Sequence, residues 1–214
     1  MTWPALILAK NELRKFFMIG MKSNTAEISL VKAPHRKEVY TDQELQEFAM
    51  CADPVDGPMH FMDNYFYIQH PTRGKMLYHP FAYQKRLIQT YHNYRYSISL
   101  MPRQTGKSTS AAGYLLWYAM FVPDSTILIA AHKYTGAQEI MQRIRYAYEL
   151  CPNHIRAGCT SYNKGSLEFE NGSRIVSQTT TETTGRGMSI SLLYADEFAF
   201  VRPTIAKEFW TSIS

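Results

Sequence analysis

The 214-residue chain is poor in cysteine, with Cys51, Cys151 and Cys159 alone. An odd number of thiols excludes a fully paired disulfide framework, and neither Cys-x-x-Cys nor His-x-x-x-His occurs. His154 lies between Cys151 and Cys159 without the spacing of a zinc site, so three reduced thiols in a cytosolic protein are expected. No apolar run approaches the roughly 18 residues that a membrane span requires. The apolar stretch 3–8 is too short for a secretory signal core and is followed by mixed charge. Neither charge sign is in great excess: 23 Lys+Arg against 18 Asp+Glu leave a formal charge of +5. Such a balance permits an acidic partner such as nucleic acid without requiring one. The ordinary hydrophobic content of 45% suits one substantial core, alone or with a small appendage.

What the chain does have is centred on residues 95–108. Residues 96–100 alternate polar and apolar side chains, which predicts a strand. Residues 102–105 break that pattern, and Gly106-Lys107-Ser108 opens a helical run over 108–120. Strand, turn, Gly-Lys-Ser and helix form the layout of a phosphate-binding loop. Unpaired N–H groups at a helix start, with the positive end of the helix dipole, suit an anion. Gly106 admits a close phosphate, Lys107 adds a point charge, and Ser108 offers a hydroxyl to Mg²⁺. The full pattern Gly-x-x-x-x-Gly-Lys-Ser/Thr is not met, because Met101 stands at the first glycine position. A surface turn before an ordinary helix is the alternative.

A second stretch supports the first. Residues 190–195 are largely apolar and lead into Asp196 and Glu197. In a parallel sheet a buried strand is mostly apolar, and ligands gather at its carboxyl end. Asp196 there would hold Mg²⁺ through water, and Glu197 would polarise an attacking water.

The rest of the chain supplies a frame. Residues 10–18 suggest a short helix and 26–31 an extended segment, with no chemistry assigned to either. Thr41 and Glu44 form a capping box for a helix reaching about residue 51, which 53–58, with two prolines and a glycine, would end. The aromatic run 61–68 reads as core, with base stacking as the alternative. Gln84 precedes a predicted helix over 85–94; its amide can donate and accept at once, which suits an adenine edge, or it can simply face water. Residues 125–131 read as a buried strand of parallel type, and 135–150 as a helix with Ile140, Ile144 and Ala147 on one face. Arg143 and Arg145 flank that face and are expected in water, with DNA phosphates as the alternative. Asn171-Gly172 joins 166–170 to 173–176 as a hairpin. The polar loop 179–187 holds Arg186 between two glycines, which fits an arginine finger or a loop arginine equally.

In this order the pieces resemble the large terminase subunit of a tailed bacteriophage. Tyr83-Gln84 resembles its adenine motif, and the run from Pro102 to Ser108 its deviant phosphate loop, which has Arg and Gln before Gly-Lys and no first glycine. Ala131-His132-Lys133, Asn163 to Ser166, Asn171-Gly172-Ser173, Arg186-Gly187 and the Asp196-Glu197-Phe198-Ala199-Phe200 element also match. The resemblance covers roughly residues 45–214.

The resemblance implies an α/β P-loop NTPase core with a parallel-type central sheet flanked by helices. Residues 76–214 would form this core and 1–75 a small amino-terminal subdomain. It implies ATP hydrolysis with Mg²⁺, driving double-stranded DNA into the prohead from the host cytoplasm, without a membrane. The nucleotide-binding set would be Gln84, Arg103, Gln104, Thr105, Gly106, Lys107, Ser108 and Thr109. Ser108 and Asp196 would serve the metal, and Glu197, Lys107, Arg103 and Arg186 would be catalytic. Arg103 would act on phosphates within the subunit, and Arg186 on a neighbouring subunit's nucleotide in a homo-oligomeric ring. Portal protein and the small terminase subunit are the implied partners. The family continues past the Asp-Glu strand to a coupling motif on a further core strand, and then to a nuclease domain. The 214 residues are therefore expected to carry an incomplete core without nuclease activity, poorly stable and weakly catalytic by itself. A helicase-like DNA-stimulated motor and a non-catalytic nucleotide-binding fragment are the rival expectations.

Overall fold

The computed structural model describes residues 30–213, so the expectations for 10–18 and most of 26–31 lie outside the described residues. Elements are numbered in chain order. Helix α1 (Asp42–Cys51) starts at Thr41, whose hydroxyl accepts from the Glu44 amide while the Glu44 carboxylate accepts from Thr41 N–H. This is the capping box that the sequence announces. Helix α2 (Gly57–Asn64) follows at once, where only a break was expected. Pro58 sits in its first turn, where a missing N–H leaves no bond unmade. A hairpin of β1 (Tyr67–His70) and β2 (Gly74–Leu77), unforeseen in the sequence, leads to α3 (Ala82–Asn93).

Helix α4 (Lys107–Phe121) is the hub. Ten of its fifteen residues are buried, so it is covered on nearly every side rather than along one stripe. Against it run β3 (Thr126–Ala131) and the amphipathic α5 (Tyr134–Leu150), whose Ile140, Ile144 and Ala147 are buried as the spacing predicts. Strands β4 (Cys159–Tyr162), β5 (Ser166–Phe169), β6 (Arg174–Thr179) and β7 (Leu192–Asp196) complete one sheet in the order β4-β5-β6-β3-β7, before α6 (Pro203–Ile213). Strand β3 pairs in parallel with β6 on one side and β7 on the other. That explains why Ile127, Leu128, Ile129 and Ala130 are completely buried. The Asn171-Gly172 turn closes the β5–β6 hairpin, with Gly172 at φ +81°. Its Asn171 amide donates to the Ala119 and Met120 carbonyls, tying the hairpin to the end of α4.

Two expectations are corrected. The sheet is mixed, not of parallel type throughout, because β4-β5-β6 run as an antiparallel meander. Nor do residues 96–100 form a strand: no described strand pairs with them, and Ile98 and Leu100 are fully exposed. Alternation specifies which side chains would share a face, but a strand also needs a ladder partner for its backbone groups. Strand β7 correspondingly has β3 as its one partner among the described strands.

Cys51, Phe61, Met62 and Phe66 belong to the same buried cluster as Leu115, Ile129 and Tyr148. The segment 51–66 thus packs onto the sheet through a shared core. One tight point is the α1–α2 corner, where the neighbour is backbone. The Trp117 indole donates to the Cys51 carbonyl at 2.8 Å, and a Cβ on Gly57 would overlap that same oxygen. Gly57→Ala should therefore cost about 1–3 kcal/mol of stability, the range of an overpacked core. A lowered urea midpoint with an unchanged slope is the expected result; a midpoint equal to that of the unsubstituted chain would refute the packing account.

Candidate functional site

The loop before α4 is built by two left-handed residues, Gln104 at φ +62° and Gly106 at φ +74°, with Thr105 between them. The Thr105 hydroxyl donates back to the Pro102 carbonyl at 3.0 Å. The Thr105 carbonyl accepts twice from α3, from Gln84 Nε2 at 2.9 Å and from the Tyr83 hydroxyl at 3.0 Å. Gly106 is required here on two counts. Its φ favours glycine, and a Cβ would approach Gln84 Nε2 to 2.5 Å. One turn further on, the buried Ser110 hydroxyl meets the Tyr78 hydroxyl at 2.6 Å and donates to the Gly106 carbonyl at 3.2 Å.

No side chain caps α4. The first N–H groups of a helix have no partner within it, so this start directs unpaired donors and the positive dipole end outward. Lys107, Ser108 and Thr109 are half-buried there, and Lys107 has no ion-pair partner among the described residues. This is a place where an anion would be held by backbone and charge together.

Opposite lies the end of β7. Asp196 is in register with Ala131 of β3, and its Oδ2 accepts from the Ser108 hydroxyl at 3.4 Å, across 88 residues of sequence. Its Oδ1 faces the Tyr194 hydroxyl, also at 3.4 Å. Burial, and after it the charge of Asp196, push the Tyr194 hydroxyl well above its ordinary value, so it stays protonated as a donor. The Tyr91 ring stands edge-on to Tyr194 at 6.4 Å, and burial pushes its hydroxyl up to about 12. Glu197 is exposed and left-handed, φ 52° and ψ 33°, before a 3-10 turn over Phe198–Phe200. A non-glycine residue in that region stores backbone strain, which collects at functional positions.

The structure thus brings Ser108 and Asp196 together, with Lys107 and Glu197 as their sequence neighbours. Arg103 and Gln104 are exposed on the loop, and Arg186 is exposed between Gly185 (φ +80°) and Gly187 (φ +75°). No described polar contact joins either arginine to Lys107, Ser108 or Asp196. Gln84 lies inside the first turn of α3 rather than before the helix. It is buried, and both ends of its amide are engaged: Nε2 with Thr105, and Oε1 as acceptor from Phe81 N–H at 2.9 Å. In this arrangement it braces the loop, and one N–H and one lone pair of the amide remain beyond these two bonds. Tyr194 was not singled out from sequence, although its position two residues before Asp196 puts it on the same face of a strand.

An open helix start facing the carboxyl end of a strand defines a mixed α/β protein with one polar site at the junction of helix and sheet. The chain belongs to the family described as terminase large subunit, T4likevirus-type, N-terminal, whose model matches residues 98–213, more than half of the chain. The matched range holds Arg103, Lys107, Ser108, Arg186, Asp196 and Glu197, and leaves out Gln84. The family indicates a role in phage DNA packaging, is generally one of ATPases, and implies DNA and packaging partners. No described helix is long and apolar enough to cross a membrane.

The bracing role of Gln84 has a direct consequence. In Gln84→Ala the Ser110 amide, which donates to the Gly106 carbonyl at 2.9 Å, should exchange with deuterium roughly fivefold faster, the scale of one lost hydrogen bond. The amides of β3 should keep their protection. Unchanged exchange at Ser110 would show that the loop holds its shape without Gln84.

Proposed function

We propose that the chain is the ATPase part of a phage packaging motor, with a P-loop NTPase core whose ATP hydrolysis drives double-stranded DNA into the prohead. The observation that carries this reading is the 3.4 Å contact of Ser108 with Asp196 at the uncapped start of α4. Family membership supports the same reading.

Each residue then has a task. The free amides of the loop and the Lys107 ammonium bind the triphosphate and offset its charge. The Ser108 hydroxyl and the Asp196 carboxylate are hard oxygen donors on opposite sides of one gap, a set that fits Mg²⁺, which takes few protein ligands and keeps its waters. When bound, Mg²⁺ would supply charge neutralisation to the outer phosphates. Tyr194 orients Asp196 from behind. Glu197, held by its left-handed backbone at the end of β7, accepts the proton of the attacking water. Arg103 acts on phosphate from the loop, and Arg186 reaches the nucleotide of a neighbouring subunit in a homo-oligomeric ring. Portal protein and the small terminase subunit are the packaging partners, and the host cytoplasm is the setting.

The unpaired, exposed segment 96–100 favours a second reading, in which the chain binds nucleotide without turning it over. Two substitutions separate the readings. Lys107→Ala should abolish ATP binding. Glu197→Gln should retain binding while turnover, measured as phosphate release with and without duplex DNA, falls about 10²–10⁴-fold. Equal turnover in Glu197→Gln would remove the catalytic assignment. No phosphate release by the unsubstituted chain, despite Lys107-dependent binding, would favour the non-catalytic reading.

A further inference from the structure

Helix α1 carries an apolar stripe, yet Cys51 is the one buried residue among its ten. Leu45, Phe48 and Ala49, three and four residues apart, share a face that stays exposed, with Leu45 at 37% and Phe48 at 40%. Val55, in the turn that follows, is 72% exposed. The Phe48 ring stands 5.5 Å from that of Phe121, the last residue of α4. The exposed stripe is therefore continuous with the core, at the end of α4 remote from Gly106. An apolar helix face of this kind is ordinarily buried against another element, and an exposed one marks an interaction site. We infer that it is the docking site of residues 10–22 of this same chain, which lie outside the described residues.

The two stretches match in spacing and in charge. Leu13, Phe16 and Phe17 recur three and four residues apart, as do Leu45, Phe48 and Ala49. Residues 42–56 hold Asp42, Glu44, Glu47, Asp53 and Asp56 and no lysine or arginine. Glu44 and Glu47 meet His154, at 3.7 and 2.9 Å, whereas Asp42, Asp53 and Asp56 have no ion-pair partner among the described residues. Asp42 shares the face of Leu45 and Ala49, and Asp53 and Asp56 follow the other end of the helix. Residues 10–22 hold Lys10, Arg14, Lys15 and Lys22 against Glu12 alone. Basic side chains around an apolar stripe suit an apolar face flanked by carboxylates.

The chain also passes close to this face. The Arg156 guanidinium donates to the Leu30 carbonyl at 3.0 Å, and two residues earlier His154 holds Glu44 and Glu47 of α1. Residues 23–29 can span up to about 25 Å, and a ten-residue helix such as α1 is about 15 Å long. Residues 10–22 thus reach the whole face from their own anchor at Leu30. The same segment of a second copy offers the same chemistry without that tether, which raises the local concentration of the first.

The test uses the full chain with Phe17 replaced by photoreactive p-benzoylphenylalanine, which keeps an aromatic ring at that position. Irradiation should join position 17 to residues 45–55 within a single chain, as mapped by peptide mass spectrometry. Arg14→Glu combined with Lys15→Glu should lower the yield of that link about fivefold, the scale of two lost exposed ion pairs. Hydrogen exchange supplies a readout without the photoprobe. In Phe16→Ser the amides of Phe48 to Cys51 should exchange roughly tenfold faster, the scale of one aromatic side chain returned to water, while those of β3 keep their protection. Links from position 17 to other elements, or no links at all, overturn the assignment. Links found only between two chains overturn it in favour of a second copy. Unchanged exchange of the α1 amides in Phe16→Ser overturns it as well.

Discussion

A helix covered on almost every side but open at its amino end is the constraint on which the rest of this molecule depends. Burial of α4 supplies the centre of the core, since it touches α2, α3, α5 and β3. Its first N–H groups gain nothing from that burial and stay without a side-chain cap. The fold therefore concentrates unpaired donors at one point and surrounds that point with packed structure. Any shift of α4 along its axis would move Ser108 from Asp196 and disturb the core at the same time.

Two devices hold that end in place. Gln84 and Tyr83 grip the Thr105 carbonyl from α3, and Gly106 makes room for the Gln84 amide by lacking a Cβ. On the far side, β3 carries β7 in parallel register, so the pairing of Ala131 with Asp196 sets the height of the carboxylate relative to the helix start. The tyrosine pair Tyr91 and Tyr194 fills the space next to it, with both hydroxyls kept protonated chiefly by burial. Both walls of the site are thus rigid elements, whereas the arginines lie on exposed loops. Groups carried on packed helix and sheet keep a fixed geometry, and groups carried on exposed loops do not share that support.

Much of the site was legible because its signals are local. Gly-Lys-Ser ahead of a helical run, an apolar run ending in Asp-Glu, and Asn-Gly between two short strands each depend on backbone geometry within a few residues. Gln84 shows the limit of that logic. Its bifunctional amide suits adenine, but which partner it meets depends on how α3 lies against the loop, and it meets Thr105 and Phe81. The segment 96–100 shows the same limit in the backbone, because its alternation is correct for a strand and no neighbour completes the ladder.

The sequence by itself determined several elements and the chemical inventory: the capped α1, the buried β3, the face of α5, the glycine-bounded loop and the paired carboxylates. These follow from periodicity, capping and turn chemistry, which act over one or two turns of chain. Only the tertiary structure decided the sheet order, the mixed strand directions, the bracing by Gln84 and the meeting of Ser108 with Asp196 across 88 residues. The physical reason is that such contacts are set by which surfaces bury one another, and that choice is made by the whole core at once.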